Sequence, residues 1–195
     1  LRMTERIAAL RPDARLVYIL RDPIARTYSS YLHAVRAGYE KRPIETAILE
    51  NPEYIFGSLY FEQLCHFLKH FKRESILLIN FHDLQRNPAA VAHRCLKFFG
   101  ANGEFQLRDI RPRNVGFQYN VFGNALRTLA GSERALSRIS GALRGVFPRP
   151  VYDTLSRVVT KPSASIDEKT RSIIAGYIEE DYTKIVSLTG ISFKG

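Results

Sequence analysis

Cysteine is scarce, with Cys65 and Cys95 the only two in 195 residues. Their wide separation excludes a paired-cysteine metal knuckle, and their number excludes a disulfide scaffold. The plain reading is two reduced, partly buried thiols. No asparagine is followed by the x-Ser/Thr of a glycosylation acceptor. No stretch approaches the roughly eighteen uninterrupted apolar residues of a membrane span, and the opening residues lack the basic, apolar and small-residue succession of a secretory signal. These absences lead us to expect a reducing, cytoplasmic setting, with a Golgi-lumenal domain cut from an anchored protein as the alternative. Internal repeats and low-complexity tracts are missing too. What remains is an ordinary globular chain whose 45% apolar content suffices for one sizeable core.

Acidic residues are also in short supply. Nineteen acids face 29 lysines and arginines, a formal charge of +10. The excess is concentrated between Arg108 and Arg157, which holds nine arginines against Asp109, Glu133 and Asp153. Such a balance argues for an anionic partner, and leaves open nucleic acid, a membrane surface, a nucleotide cofactor or a sulfated or carboxylated substrate.

Along the chain, Ile7, Ala8 and Leu10 read as the end of a helix broken at Arg11-Pro12-Asp13, because the residue before proline avoids helical backbone. Arg15 to Leu20 is a nearly continuous apolar run, the pattern of a strand buried on both faces of a parallel sheet. Proline at Pro23 suits the first turn of a helix, predicted to run to about Gly38. Its start lies at the carboxyl end of a strand, where open α/β sheets bind ligands. A polar stretch follows, and then a helix whose apolar positions Tyr60, Leu64, Phe67, Leu68 and Phe71 keep helical spacing. Ser75 to Phe81 is a second buried strand, and Asn87-Pro88 leads into a helix over Val91–Phe99 stopped by Gly100. Alternation of strands and helices makes the chain α/β. Residues 101–120 show no period and read as a long basic loop. Helices are expected over Val121–Leu143, over Pro150–Val159 and from Ser165 onward, with Ser165 as N-cap and Glu168 completing a capping box.

The most informative stretch is Arg21-Asp22-Pro23-Ile24-Ala25-Arg26-Thr27-Tyr28-Ser29. A strand delivers Arg21 to the sheet edge, and Ser29 follows two helical turns on. A guanidinium and a hydroxyl so placed suit one phosphate, and equally suit a structural salt bridge and a serine on a helix face. His33 lies one turn beyond Ser29 on the same face. His66 and His70, at i and i+4, have no third ligand at metal-binding spacing, and no metal is expected.

These residues resemble the 3′-phosphate-binding signature of sulfotransferases that use 3′-phosphoadenosine 5′-phosphosulfate (PAPS), in which the serine comes eight residues after the arginine. Gly57-Ser58-Leu59-Tyr60, Phe71-Lys72-Arg73-Glu74-Ser75-Ile76, Asp83-Leu84 and Asn87-Pro88 follow the order seen in the heparan-type and bacterial members. The final helix is similar to their closing helix. The resemblance implies a P-loop-like parallel sheet flanked by helices in three layers, α/β/α, with a helix-rich C-terminal half. It implies cofactor contacts from Arg21 and Ser29, a tyrosine, Tyr60, near the nucleotide, and a mobile basic cover in which Arg111 and Arg113 fall. It also makes His33 the residue for acceptor binding or proton handling. Asp22 and Arg26 read as structural, pinning the loop by local pairing.

A Gly-rich loop for the 5′-phosphosulfate is missing, since no Gly-x-x-x-x-Gly-Lys-Ser/Thr occurs. The expectation is therefore a single domain over 1–195 that is the C-terminal portion of a longer sulfotransferase, or a degenerate relative without activity. Within it we distinguish a strand–helix core over 1–100, the basic loop 101–120 and a helical segment 121–195. The implied reaction moves a sulfuryl group from PAPS to a hydroxyl or amine of a glycan, lipid or small molecule, leaving 3′-phosphoadenosine 5′-phosphate (PAP). Readings of a different class are a basic nucleic-acid-binding domain and a P-loop nucleotide kinase.

Overall fold

The computed structural model describes residues 2–101, 117–119, 121–129, 160–162 and 165–193, with positions 131, 138, 142, 146 and 148. The chain falls into two compact units, one of Leu1–Thr27, Ile55–Pro112 and Arg171–Gly195, the other of Tyr28–Tyr54 and Arg113–Thr170.

The first unit opens with helix α1 (Arg2–Leu10), as the sequence suggested, and holds a parallel pair, β1 (Leu16–Leu20) and β2 (Ile76–Asn80), in register from Leu16 opposite Ile76 to Leu20 opposite Asn80. Leu16, Tyr18 and Leu20 alternate onto one face, where they meet Tyr60, Leu64, Phe71, Ile185 and Phe193. β1 differs from the expected strand buried on both sides. Ile19, which points the other way, is 45% exposed, because among the described residues the cover lies on the Leu20 face. β2 fits the expectation better, with Ile76, Leu78 and Ile79 all buried.

Each strand hands over to a helix through a polar cap. After β1, the Asp22 carboxylate accepts the Ala25 N–H at 2.6 Å, and Pro23 opens α2 (Pro23–Ala37) with its φ already suited to a first turn. Asp22 is thus a helix cap rather than a partner of Arg26. After β2, Asn80 accepts the His82 N–H at 2.9 Å and starts a short helix, Phe81–Arg86, which was not expected. Asn87 then caps the helix Pro88–Phe99, and Gly100, at φ +76°, ends it in the left-handed conformation that glycine adopts without strain.

Two more helices of this unit are joined across the chain. Tyr60–Leu68 forms a helix preceded by Leu59, which has no side chain able to cap it. The closing helix, Glu168–Thr189, supplies the missing acceptor. The Asp181 carboxylate takes the N–H groups of Phe61 at 3.1 Å and Glu62 at 3.2 Å. Two of the four orphan donors of that helix are satisfied from 120 residues away. The closing helix itself is capped by Asp167, which accepts from Thr170 N at 2.9 Å and Thr170 Oγ1 at 2.8 Å. Ser165 was the expected cap. A carboxylate at the positive end of a helix gains charge as well as hydrogen bonds, and Asp167 holds that place.

In the second unit, the short helix Ile44–Glu50 and the first residues of Glu53–Phe56 occupy what reads as a polar stretch. They surround Glu40, only 3% exposed, whose carboxylate accepts from the backbone N–H groups of Lys41 and Arg42, from the Arg42 guanidinium at 2.7 and 2.8 Å, and from the Tyr54 hydroxyl at 3.2 Å. Arg42 also pairs with Glu50, and its carbonyl accepts the Tyr31 hydroxyl at 2.9 Å. Arg42 holds the Glu40 carboxyl well below the usual carboxylate range. Phe117–Tyr119 and Thr160–Pro162 pair antiparallel, so the end of the expected 101–120 loop is a strand. Val121–Leu129 is helical as expected. The expected helix over Pro150–Val159 lies outside the described residues.

Candidate functional site

Arg21 follows β1, and Phe81 follows β2. Because Leu20 and Asn80 are the last pair in the parallel register, the next residue of each strand lies at the same edge. The Arg21 guanidinium accordingly rests over the Phe81 ring, 5.3 Å from its centroid. Its backbone N–H donates to the Tyr60 hydroxyl at 3.4 Å. The half-buried guanidinium is thereby held at the carboxyl end of a parallel strand, at the start of α2.

Tyr60 is a core residue. Its ring is buried, edge-on to Tyr18 with centroids 6.0 Å apart and tilted against Phe193 at 6.2 Å. Burial pushes its phenol up, while the Arg21 N–H and the charges of Arg26 and Arg21 pull the other way. Tyr18 is raised as well, chiefly by burial, and its hydroxyl donates to Gln63 Oε1 at 2.9 Å. Tyr60 thus supports the main chain at Arg21 through its hydroxyl alone.

Ser29 and His33 are exposed on α2, one turn apart. Arg26 precedes Ser29 by three residues, so the three share a helical face. His33 Nδ1 lies 2.7 Å from an Arg36 guanidinium nitrogen. A guanidinium only donates, so this contact assigns the lone pair to Nδ1 and the ring proton to Nε2. Arg111 and Arg113 lie outside the described residues. Among the described residues no group of histidines, cysteines and acids has the makings of a metal site, and no helix is long and apolar enough to cross a membrane.

Two features escape the sequence. Phe81 under Arg21 is fixed by register. The other is a contact of α2 with the turn before Tyr60. Thr27 Oγ1 donates to Ser58 Oγ at 2.8 Å, both side chains being buried, and the Arg26 guanidinium reaches Ser58 Oγ at 3.4 Å while lying across Gly57. The small pair Gly57-Ser58 just before an aromatic-rich helix is the signal that marks such a close approach.

No curated protein matches the chain. A solved sulfotransferase from Alicyclobacillus acidocaldarius is similar at a TM-score of 0.61 and 18% identity, over 97% of this chain and 60% of that one. At that identity the likeness speaks for the fold, an α/β P-loop-like architecture, and the chain spans three-fifths of that relative's length. Residues 5–113 match the model of the sulfotransferase domain. That span contains β1, the Asp22 cap, Arg21 over Phe81 and the Tyr60 support, and on this match the chain belongs to the sulfotransferase family.

Proposed function

We propose that this domain binds PAPS and serves transfer of its sulfuryl group to a hydroxyl or amine acceptor. One observation carries the reading: a strand-end guanidinium, Arg21, steadied by Tyr60 and Phe81, with an exposed Ser29 on the helix that follows. Such residues fit a phosphate dianion, which takes a bidentate charge-assisted pair from arginine and a single hydrogen bond from a serine hydroxyl. In this reading Arg21 and Ser29 hold the nucleotide's 3′-phosphate, and Tyr60 positions Arg21. Arg111 and Arg113 belong to the basic cover. PAPS supplies the group to be transferred.

His33 faces the acceptor in this reading. With Nδ1 occupied by Arg36, its Nε2–H donates a hydrogen bond to an acceptor oxygen, a binding role rather than that of a base. Cys65 and Cys95 are free thiols, in keeping with a reducing, cytoplasmic setting.

Calorimetry with PAP against adenosine 5′-phosphate tests the proposal. We expect PAP to bind at least about tenfold more tightly, the worth of one charge-assisted contact, and Arg21→Ala to abolish the preference. Equal affinities for the two nucleotides refute it.

A further inference from the structure

We propose that Arg26 is a second anion-binding residue beside Arg21, held ready by a gap at Gly57. This rests on the nucleotide-binding reading above and adds a residue to it.

A guanidinium carries five N–H groups. Arg26 spends one on Ser58 Oγ, at the long distance of 3.4 Å. No carboxylate among the described residues comes within ion-pair range of it. Asp22, one turn earlier on the same helix, is engaged in capping at Ala25. A half-buried cation left in this condition forfeits hydration without full compensation.

The surroundings increase that cost. Arg21 and Arg26 both lie near the positive end of α2, where the Asp22 cap is followed by no acidic residue in the first turn, and a cation there is disfavoured by the helix dipole. The charges of Arg26, Arg21 and Asp22 all act on the Tyr60 hydroxyl, two cations against one carboxylate. Two guanidiniums beside one carboxylate that is already engaged in capping keep an excess of positive charge, and an anion of charge near −2 relieves repulsion, dipole and desolvation together.

Gly57 shows that the pose of Arg26 is built in. A Cβ there would lie 2.2 Å from one terminal guanidinium nitrogen of Arg26 and 2.9 Å from both its central carbon and the other terminal nitrogen, so the edge carrying those two nitrogens faces the glycine. Ser58 fixes it further: its hydroxyl receives Thr27 Oγ1 at 2.8 Å and is itself almost fully buried. The side chain therefore meets a ligand with its orientation already set, and binding loses less rotamer freedom.

The test is nucleotide titration of the chain and of Arg26→Ala, Arg26→Gln and Arg26→Lys, each with PAP and with adenosine 5′-phosphate, alongside Arg21→Ala. Arg26→Gln retains an N–H for Ser58 without the charge, so it serves where the alanine variant unfolds. We expect the alanine and glutamine variants to weaken PAP about tenfold or more while shifting adenosine 5′-phosphate by about twofold or less, with partial recovery in the lysine variant. A merely structural arginine weakens both nucleotides alike, and that outcome, or no loss with PAP, overturns the proposal. Wild-type protein that discriminates and loses discrimination in Arg21→Ala but not in the Arg26 variants refutes Arg26 alone. Wild-type protein that does not discriminate removes the nucleotide reading and Arg26 with it.

Discussion

Replacing Asp181 by alanine should cost the first unit about 2 kcal/mol, and the figure follows from two hydrogen bonds. The carboxylate accepts the Phe61 and Glu62 N–H groups, at 3.1 and 3.2 Å, at the start of a helix with no cap of its own. Loss of a helix cap typically costs about 1 kcal/mol, within a range of roughly 0.5–2. A negative charge at a helix N-terminus adds about 0.3–1 kcal/mol. The sum is near 2 kcal/mol, and in a domain of this size each kilocalorie moves Tm by about 2–4 °C. Thermal unfolding followed by circular dichroism should therefore show Asp181→Ala melting about 4–8 °C below wild type. Asp181→Asn keeps a carbonyl acceptor but loses the charge, and should fall between the two. Glu180→Ala is the control. That residue is 84% exposed on its side chain and pairs with Lys184 on the surface, so its loss should move Tm by about 1 °C or less. If Asp181→Ala melts with the Glu180 control, the long-range cap contributes nothing and the account of how the closing helix is attached is wrong.

Gly57→Ala should leave Tm nearly unchanged, since the group it would meet is the end of a flexible side chain, but should displace the Arg26 guanidinium and lower PAP affinity as Arg26→Ala does; unchanged affinity in calorimetry contradicts this. Glu40 contributes to the pH dependence of the second unit. Its carboxyl is depressed in the folded protein, so its contribution is present above the ordinary glutamate value of 4.5 and is lost as pH falls through the lower folded value. Melting temperature plotted against pH should drop below about pH 4.5 in wild type and be flatter in Glu40→Gln; parallel curves refute the assignment.

Much of the strand-to-helix machinery was legible because it is local. An apolar run, an Asp-Pro or Asn-Pro junction and a stopping glycine each act within a few residues, and the elements around Leu20, Pro23, Asn87 and Gly100 form where those signals stand. Helix Ile44–Glu50 was hidden by its shortness. Ile44, Ala47 and Ile48 have helical spacing, but over too few turns to outweigh the prolines on either side. The Phe117–Tyr119 strand has three residues, too few for a period, and its partner is some forty positions away. At Ser165 and Asp167 the sequence offers two competing caps, and only the folded backbone selects between them. The candidate site divides similarly. Arg21 and Ser29 are readable from their spacing, whereas Arg26 on Gly57, Arg21 on Phe81 and Asp181 on Phe61 join residues that only the tertiary structure brings together.

The parallel register also sets a timetable for synthesis. Leu16 pairs with Ile76, sixty positions later, so the Leu-Val-Tyr-Ile-Leu segment leaves the ribosome well before its partner exists. At about 5–20 residues per second that wait is roughly 3–12 s, and Ile185, which closes the same core, comes later still. For that interval the nascent chain presents an unpaired aliphatic strand, the kind of segment that aggregates when left bare. Arg15 and Arg21 flank it directly and act as gatekeepers before either has any other task.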